Sequence, residues 1–443
     1  MAAGRKVLTL DSVNPCVKGA RLPTLGPLLE RASEIQRQLA QSPPLVGAFC
    51  SLPQGEEKPF REVIWCHSGD PHAAGQRPIT FLRQVAAICA YPELLHADSM
   101  PRDAKQRASR ILQELHSSSA GAYNMEYVTT AVPQRVARYL ERRDGGIRCD
   151  PRNIVMCGGI TTAIVDFLSL VVNEQDPRRA GVLLPVPGHP LFADAVALAG
   201  AIGVQYHLDE EGGWALDVGE IRRVLGQARG HCTPKVLCVI NPGYPTGHVL
   251  SRRHMQDVLQ LAAQERLLLL ADEVHQDCVF TPDAPFLSFK RVLCELGPAV
   301  SSAVQLISFY SVSKGFAAEG GFRAGFFELV NIDPAIMKRF CSWGMSIYPL
   351  ILGQVLLDAL MEPPLPGEPS CRTFMAALGL EPDFFFCQKL LEATGIVLAP
   401  GSTFGQRRGT HHVRMTLLPR VETLRIVLQT IAEFHSQFQQ RYS

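Results

Sequence analysis

Three apolar runs, each followed directly by polar residues, most constrain the fold that this chain can adopt. The runs span residues 236–240, 267–271 and 304–309. Short uninterrupted apolar runs are typical of strands that are buried on both faces, as in a parallel sheet. Such runs alternate with helical patterns from about residue 131 to residue 330. We therefore predict an α/β fold, with a mostly parallel sheet flanked by crossover helices.

The polar residues that follow these runs predict a ligand site. The first run opens into a tight turn at residues 241–247, the second ends at Asp272, and the third leads to a loop that contains Lys314. Ligands of open α/β sheets bind at the carboxyl ends of the strands. A single acid at a strand end is ordinarily a helix cap, and loops with one lysine and one arginine are common. The ordered set of a turn, an acid and an amine instead indicates a site with a lysine nucleophile.

Several longer stretches of the chain carry a resemblance to a known enzyme family. They are residues 69–72, 75–85, 138–147, 239–243, 270–274, 308–323 and 401–406, together with Arg414. These motifs resemble those of the fold-type I pyridoxal-phosphate-dependent aminotransferases, and among them the alanine aminotransferases. The resemblance extends from about residue 7 to the C-terminus. It implies pyridoxal 5'-phosphate as cofactor and transfer of an amino group from L-alanine to 2-oxoglutarate.

The resemblance also implies roles for the residues nearest the reaction. Lys314 would bind the cofactor covalently and move a proton between the substrate carbon and the cofactor. Asp272 would face the pyridine nitrogen and keep it protonated, because an opposite charge nearby favours the charged form. Arg414 would bind the α-carboxylate of the substrate through its planar fork, and Gly69 would also contact the substrate.

A second group of residues is implied to bind the cofactor phosphate. The group comprises Arg323, Ser311, Ser313 and the backbone amides of Gly159, Ile160 and Thr161. The amides lie where a predicted strand at residues 154–157 turns into a helix, and a helix N-terminus attracts anions. Tyr123 matches a tyrosine that reaches the cofactor phosphate of a neighbouring subunit. The resemblance therefore implies a homodimer with shared sites.

Three positions that would touch the cofactor depart from the family pattern. Tyr244 stands where the family has Asn, His275 where it has Tyr, and His189 where an aromatic ring stacks on the pyridine. The family side chains at the first two positions donate hydrogen bonds to the ring oxygen of the cofactor. We hypothesise that Tyr244 supplies the phenol lost at position 275 and that His275 is the second donor. The added ring would overpack the site at a cost of about 1–3 kcal/mol. This cost predicts weaker cofactor binding, slower exchange of the cofactor between Lys314 and the substrate amine, or both.

A further departure from the family lies near the C-terminus. After a proline-rich connector at residues 361–370, the chain lacks several tens of residues that alanine aminotransferases have. The remaining pattern predicts a helix at 384–392, strands at 395–400 and 412–417, and an amphipathic helix at 421–442. A sheet without some of its strands has unpaired edges. The departures leave an alternative to the transaminase: a catalytically impaired relative that binds the cofactor weakly or acts only as a dimerisation partner.

The predicted domains follow from these patterns. Residues 1–60 form an N-terminal arm, residues 61–345 a large cofactor-binding domain, and residues 346–443 a shortened small domain on which part of the arm packs. In the arm we predict a strand at 7–10 and a helix at 27–41. We also predict helices at 79–90 and 104–116, and one long helix from residue 334 to about residue 360 that links the domains.

The composition argues against a nucleic-acid-binding protein, a membrane protein and a metal site. Lysine and arginine number 43 against 42 acidic residues, so no strong field favours nucleic acid or an anionic membrane. The 13 cysteines show no C-x-x-C pair, which favours free thiols in a reducing compartment over disulfides or a metal site. No apolar run is long enough to span a bilayer, and the basic N-terminal segment is too short for a targeting peptide. We therefore expect a cytoplasmic enzyme without metal.

Overall fold

The fold is described from a computed structural model of the chain. The described residues are 9, 12–18, 26–41, 62–63, 70–73, 75–173, 175–279, 285–336, 338, 349–377, 382–400, 412–415 and 421–442. Contacts divide the chain into two compact units, Met1–Gln76 and Arg77–Ser443. Within the described residues, no helix is both long enough and apolar enough to cross a membrane.

The first unit contains helices α1 (Pro15–Lys18) and α2 (Gly26–Gln41). α2 agrees with the predicted helix at 27–41, whose apolar residues recur with the helical period. The predicted strand at 7–10 lies outside the described residues except for Thr9.

The second unit alternates helices and strands along most of its length. Its helices are α3 (Thr80–Ala90), α4 (Arg102–Glu114), α5 (Val132–Arg143), α6 (Ile160–Val171), α7 (Pro190–Leu198), α8 (Val218–Ala228), α9 (Arg252–Glu265), α10 (Phe289–Glu295), α11 (Pro298–Ser301), α12 (Ile351–Met361), α13 (Cys371–Ala377), α14 (Pro382–Thr394) and α15 (Val421–Tyr442). Its strands are β1 (Ile154–Cys157), β2 (Ala180–Val186), β3 (Ile202–His207), β4 (Thr233–Ile240), β5 (Leu268–Asp272), β6 (Leu306–Ser311), β7 (Gly325–Val330), β8 (Ala399–Pro400) and β9 (Val413–Arg414).

The first seven strands form one sheet in the order β1-β7-β6-β5-β4-β2-β3. The strands β6, β5, β4, β2 and β3 pair in parallel. β7 pairs antiparallel with both β6 and β1, so β7 alone among these seven runs in the opposite direction. The predicted mostly parallel sheet flanked by helices is confirmed.

Strand β4 shows why its own apolar run is uninterrupted. Val236, Cys238 and Ile240 pack in a core cluster that includes residues of α6 and α7. Leu237 and Val239 pack in a second cluster with residues of α8, α9 and α10. Successive side chains of a strand point to opposite faces, and here both faces are covered by helices. Every position of the run is therefore apolar.

The C-terminal part of the chain departs from one prediction. Residues 349 and 350 are not helical, and α12 begins only at Ile351 with Leu350 in an extended conformation. A continuous helix from 334 to 360 is therefore wrong. Pro349 explains the break, because proline removes a backbone donor and disfavours helical geometry in the preceding residue.

The short strands β8 and β9 form a separate antiparallel pair. They lie within the predicted strands 395–400 and 412–417 but are much shorter. Leu390 and Leu398 form a small buried cluster against which Ile431 and Phe434 of α15 pack. The terminal helix therefore covers a small core of its own, as its amphipathic pattern predicts.

Candidate active site

The carboxyl edge of the sheet brings most of the predicted site residues together. β1, β2, β4, β5 and β6 all end at this edge, and the loop before β7 returns to it. The site residues in or directly after these strands are Gly159, Ile160, Thr161, His189, Tyr244, Asp272, His275, Ser311, Ser313 and Lys314, with Arg323 preceding β7. The prediction that the strand ends converge is therefore confirmed by the topology.

Asp272 and Lys314 follow neighbouring strands and interact electrostatically. The carboxylate of Asp272 is 4% exposed, and its Oδ1 accepts a hydrogen bond of 3.3 Å from the Val274 amide. Burial raises the pKa of Asp272 to about 7, against the lowering effects of that amide and of the Lys314 ammonium. A carboxyl group in this state becomes ionised at little cost when a cation is placed beside it.

Three aromatic rings pack together near Lys314, with Tyr244 in contact with both His189 and His275. The Tyr244 ring lies 4.7 Å from the His189 ring and 5.9 Å from the His275 ring, measured between centroids. The planes of Tyr244 and His275 differ by only 12°. His189 is the N-cap of α7, and its Nδ1 accepts a hydrogen bond of 3.1 Å from the Leu191 amide. The three departures from the family pattern therefore form one connected group, in which Tyr244 contacts both histidines.

The surroundings of both histidines in this group lower their pKa values. Burial, followed by the charges of Lys314 and His189, lowers the pKa of His275 to about 4. Burial and the Lys314 ammonium also lower the pKa of His189. A neutral imidazole has one N–H donor, so His275 can donate a single hydrogen bond to a ligand atom.

The turn between β1 and α6 forms a cradle with Arg323. Gly159 has φ +107°, and a Cβ atom there would lie 2.4 Å from Nη2 of Arg323. Only glycine allows both this backbone conformation and this close approach. Ile160 and Thr161 begin α6, whose first amides have no partner within the helix. A guanidinium and a helix N-terminus thus face the same point, which suits a phosphate group.

The two predicted serines lie in the same region. Ser311 is buried, and its hydroxyl donates to the Ala324 carbonyl at 3.3 Å and accepts from the Ser313 amide at 3.2 Å. Ser313 is half-buried. These bonds fix the first residues of the loop that leads to Lys314.

The residues present fit pyridoxal phosphate. The Gly159–Arg323 cradle would take an anion, the buried carboxyl of Asp272 would take a protonated ring nitrogen, and Lys314 lies within electrostatic range of that carboxyl. The requirements of the phosphate, the ring nitrogen and the aldehyde are each met by a suitable donor or acceptor.

The roles of all the predicted site residues stay predictions, and three of these residues are not placed at the sheet edge by the structure. Tyr123 lies in a loop after α4 and is 88% exposed. Arg414 pairs through its backbone with Ala399, but its side chain lies outside what the structure describes, as does Gly69.

The structure adds two arginine–carboxylate contacts that the sequence did not predict. Arg83 binds Glu319 in the Lys314 loop through two hydrogen bonds, of 2.8 and 2.7 Å. Arg143 binds Gln276 at 2.8 Å and lies 3.9 Å from Glu273, the neighbour of Asp272. The only sequence signal for either was an acidic residue beside a predicted catalytic residue.

Comparisons with known proteins agree with this site. A sequence model described as aminotransferase class I and II matches residues 91–368. Alanine aminotransferase 2 of Xenopus tropicalis is 44% identical over 491 aligned residues, which cover 99% of this chain and 91% of that protein. Alanine aminotransferase 1 of Homo sapiens is 43% identical, with 99% of this chain and 96% of that protein covered.

A solved structure supports the fold in the same way. The alanine aminotransferase from Pyrococcus furiosus superposes with a TM-score of 0.57 at 16% identity, covering 96% of this chain and all of that one. The alignments with the curated relatives are 491 residues long, whereas this chain has 443. The relatives therefore contain tens of residues that this chain lacks. That these residues belong to the C-terminal region stays a prediction.

Proposed function

Because the chain belongs to the class I and II aminotransferase family, we propose that it transfers the amino group of L-alanine to 2-oxoglutarate, giving pyruvate and L-glutamate. It is a pyridoxal-phosphate-dependent aminotransferase. The observation that carries the choice of substrates is 43–44% identity, over 99% of the chain, to proteins named alanine aminotransferase. The alternative of a catalytically impaired relative finds no support in these comparisons.

The reaction needs a base, an electron sink and a held substrate. When bound, pyridoxal phosphate supplies the electron sink that stabilises a carbanion at the substrate carbon. Lys314 is the residue that binds the cofactor and carries the proton at its Nζ atom. Asp272 holds the ring nitrogen in its protonated form, since its buried carboxyl is stabilised as an anion only beside a positive charge.

The remaining roles concern binding of the cofactor. Arg323, Ser311, Ser313 and the amides of Ile160 and Thr161 bind its phosphate, with Gly159 leaving room for the guanidinium. His189 packs on the ring, and Tyr244 and His275 donate hydrogen bonds to the ring oxygen. The contact between Tyr244 and His275 supports this pairing because it places the two rings next to each other, with centroids 5.9 Å apart.

Arg414 binds the α-carboxylate of the substrate, and Gly69 also contacts the substrate. Tyr123 extends to the phosphate of a second subunit, so the enzyme is a homodimer, and its high exposure in a single chain supports this assignment. The ten cysteines that the structure describes are free thiols, which supports a reducing compartment, the cytosol. A large domain at 61–345 and a small domain at 346–443 complete the proposal.

A product assay tests the function. Purified protein loaded with pyridoxal phosphate is mixed with L-alanine and 2-oxoglutarate, and pyruvate and L-glutamate are measured separately. Equimolar formation of both products, abolished by Lys314→Ala, supports the proposal. Turnover of 2-oxoglutarate with L-aspartate but not with L-alanine would contradict the substrate assignment while leaving the family unchanged.

A further inference from the structure

The loop between β6 and β7, which carries Lys314 and Arg323, has three residues with positive φ. Gly315, Ala318 and Arg323 have φ values of +65°, +52° and +51°. Residues other than glycine avoid this left-handed region because Cβ approaches the following carbonyl. Such conformations persist only where the surrounding structure enforces them.

Arg83 of α3 binds this loop directly after Ala318. Its Nε donates to Oε1 of Glu319 at 2.8 Å, and its Nη2 donates to Oε2 at 2.7 Å. Two parallel bonds fix both the position and the plane of the carboxylate, which a single point charge cannot do. Glu319 is only 1% exposed, and its amide donates to the Val312 carbonyl at 2.7 Å. Glu319 is therefore tied to both α3 and the start of the loop.

A second contact of Arg83 lies next to Arg323. The Arg83 guanidinium lies 5.1 Å from the centre of the Phe322 ring, within the range of a cation–π interaction. The Phe322 backbone also lies close to α12, because a Cβ on Gly353 would lie 2.3 Å from the Phe322 carbonyl oxygen. Phe322, which precedes Arg323, is thus in contact with both the Arg83 side chain and α12.

We propose that Arg83 is a positioning residue for the active site: by binding Glu319 and Phe322, it holds the 314–323 loop so that the Arg323 guanidinium meets the amides after Gly159. Arg83 touches neither substrate nor cofactor in this scheme. The inference rests on the proposed phosphate-binding role of Arg323, and it adds a residue from outside the phosphate site that determines how well that role is performed.

The test compares two probes that differ only in the phosphate. Equilibrium dissociation constants of pyridoxal phosphate and of pyridoxal are measured for the wild-type protein, Arg83→Lys, Arg323→Ala and the double variant of both. Arg83→Lys keeps the charge and loses the fork. We expect Arg83→Lys to weaken the binding of pyridoxal phosphate by at least about tenfold and the binding of pyridoxal by much less. In the Arg323→Ala protein, Arg83→Lys should cause little further loss of pyridoxal phosphate binding, because the guanidinium that Arg83 positions is no longer present.

A double variant distinguishes the positioning role of Arg83 from a purely structural role of its ion pair with Glu319. Arg83→Leu with Glu319→Met replaces both charges by apolar groups of similar size, which often restores stability. We expect its melting temperature to approach that of the wild type while the preference for pyridoxal phosphate over pyridoxal stays low. Arg152→Ala is the control. It removes an exposed bidentate pair with Asp150 that precedes β1, whereas Gly159 follows this strand. It should leave the preference for pyridoxal phosphate over pyridoxal unchanged.

Two results would overturn the proposal: an unchanged phosphate preference in Arg83→Lys, or a preference that returns in the Arg83→Leu/Glu319→Met variant together with its stability. Failure of the proposed function is a separate result. A protein that binds pyridoxal phosphate but releases no pyruvate from L-alanine would contradict the substrate assignment, and these binding ratios would still decide the role of Arg83.

Discussion

The rings of Tyr244 and His275 lie almost parallel, with centroids 5.9 Å apart and planes that differ by 12°. Both positions depart from the residues that the family uses to contact the ring oxygen of the cofactor. Their contact shows that the two departures belong to one packed unit, in which a larger phenol at 244 accompanies a smaller ring at 275. The pair therefore acts together, and a change at one position alters the packing of the other.

Loss of the Tyr244 hydroxyl tests this pairing. In Tyr244→Phe we expect the pH at which the absorbance of the bound cofactor changes to rise by roughly one unit, because a hydrogen bond to a charged oxygen is worth about 1.5 kcal/mol. The absorbance of the bound cofactor is titrated from about pH 5 to about pH 10, which covers the range in which imidazole and phenol groups ionise. Tyr206→Phe is the control, since its hydroxyl donates to the Cys238 carbonyl inside the core. Identical titrations of Tyr244→Phe and the wild type would show that Tyr244 is not a donor.

Gly159→Ala tests the phosphate cradle. The new methyl group would lie 2.4 Å from the Arg323 Nη2 atom, so the guanidinium must move. We expect the dissociation constant of pyridoxal phosphate to increase about tenfold or more, in line with a cost of 1–3 kcal/mol for such a site. Gly146→Ala is the matched control, because Gly146 also has positive φ, +91°, but has open space around its Cβ. Equal effects of the two substitutions on cofactor binding would argue against the cradle.

The raised pKa of Asp272 predicts a pH dependence of stability in the cofactor-free protein. The pKa of Asp272 is about 7 in the folded protein, against an ordinary value of 3.8 for an aspartate side chain. Between these values the folded state holds a proton that the unfolded state has released, so stability falls as pH rises, by up to about 1.4 kcal/mol per pH unit. Glu273, whose pKa burial also raises to about 7, acts in the same direction.

Asp272→Asn isolates the contribution of the one residue. The urea midpoints of the cofactor-free wild type and the variant are compared at about pH 5 and about pH 7. Both pH values lie in the window between the unfolded and the folded pKa of Asp272. We expect the variant to lose less stability than the wild type between these pH values. A variant that loses as much stability as the wild type would mean that Asp272 is already ionised at pH 5.

The buried ion pair of Lys290 and Glu328 predicts a strong asymmetry between single and double substitutions. The two charged groups are 2.5 Å apart and nearly inaccessible, and Cys149 also donates to Glu328 at 3.0 Å. Lys290→Met leaves the carboxylate without its cation and should cost about 3–5 kcal/mol. Adding Glu328→Gln should recover much of that loss, as measured by melting temperature. Additive losses in the double variant would contradict this account.

The sequence predicted the elements whose pattern is local. The ends of β1 and α15 agree with the prediction because an apolar run and an amphipathic period define them without reference to the rest of the chain. The sheet edge was predictable because parallel strands place their carboxyl ends together. The helix predicted at 334–360 failed because Pro349 outweighed the apolar pattern that continues through it.

The contacts that could not be predicted join distant parts of the chain. Arg83 and Glu319 are separated by 236 positions, and neither has a pattern that marks it as half of a pair. The sequence indicated that His189, Tyr244 and His275 differ from the family, but their stacking depends on how three strands are ordered in the sheet. Such contacts follow from the tertiary structure, and only the resemblance to a family placed their residues near one site.

The central claim is that Lys314 binds pyridoxal phosphate covalently opposite Asp272. Borohydride reduction of the loaded protein, followed by proteolysis and mass spectrometry, tests it most directly. We expect a phosphopyridoxyl group on the peptide that contains Lys314, and its absence when L-alanine is added before reduction. A label on a different lysine, or none on any peptide of a protein saturated with the cofactor, would contradict the account.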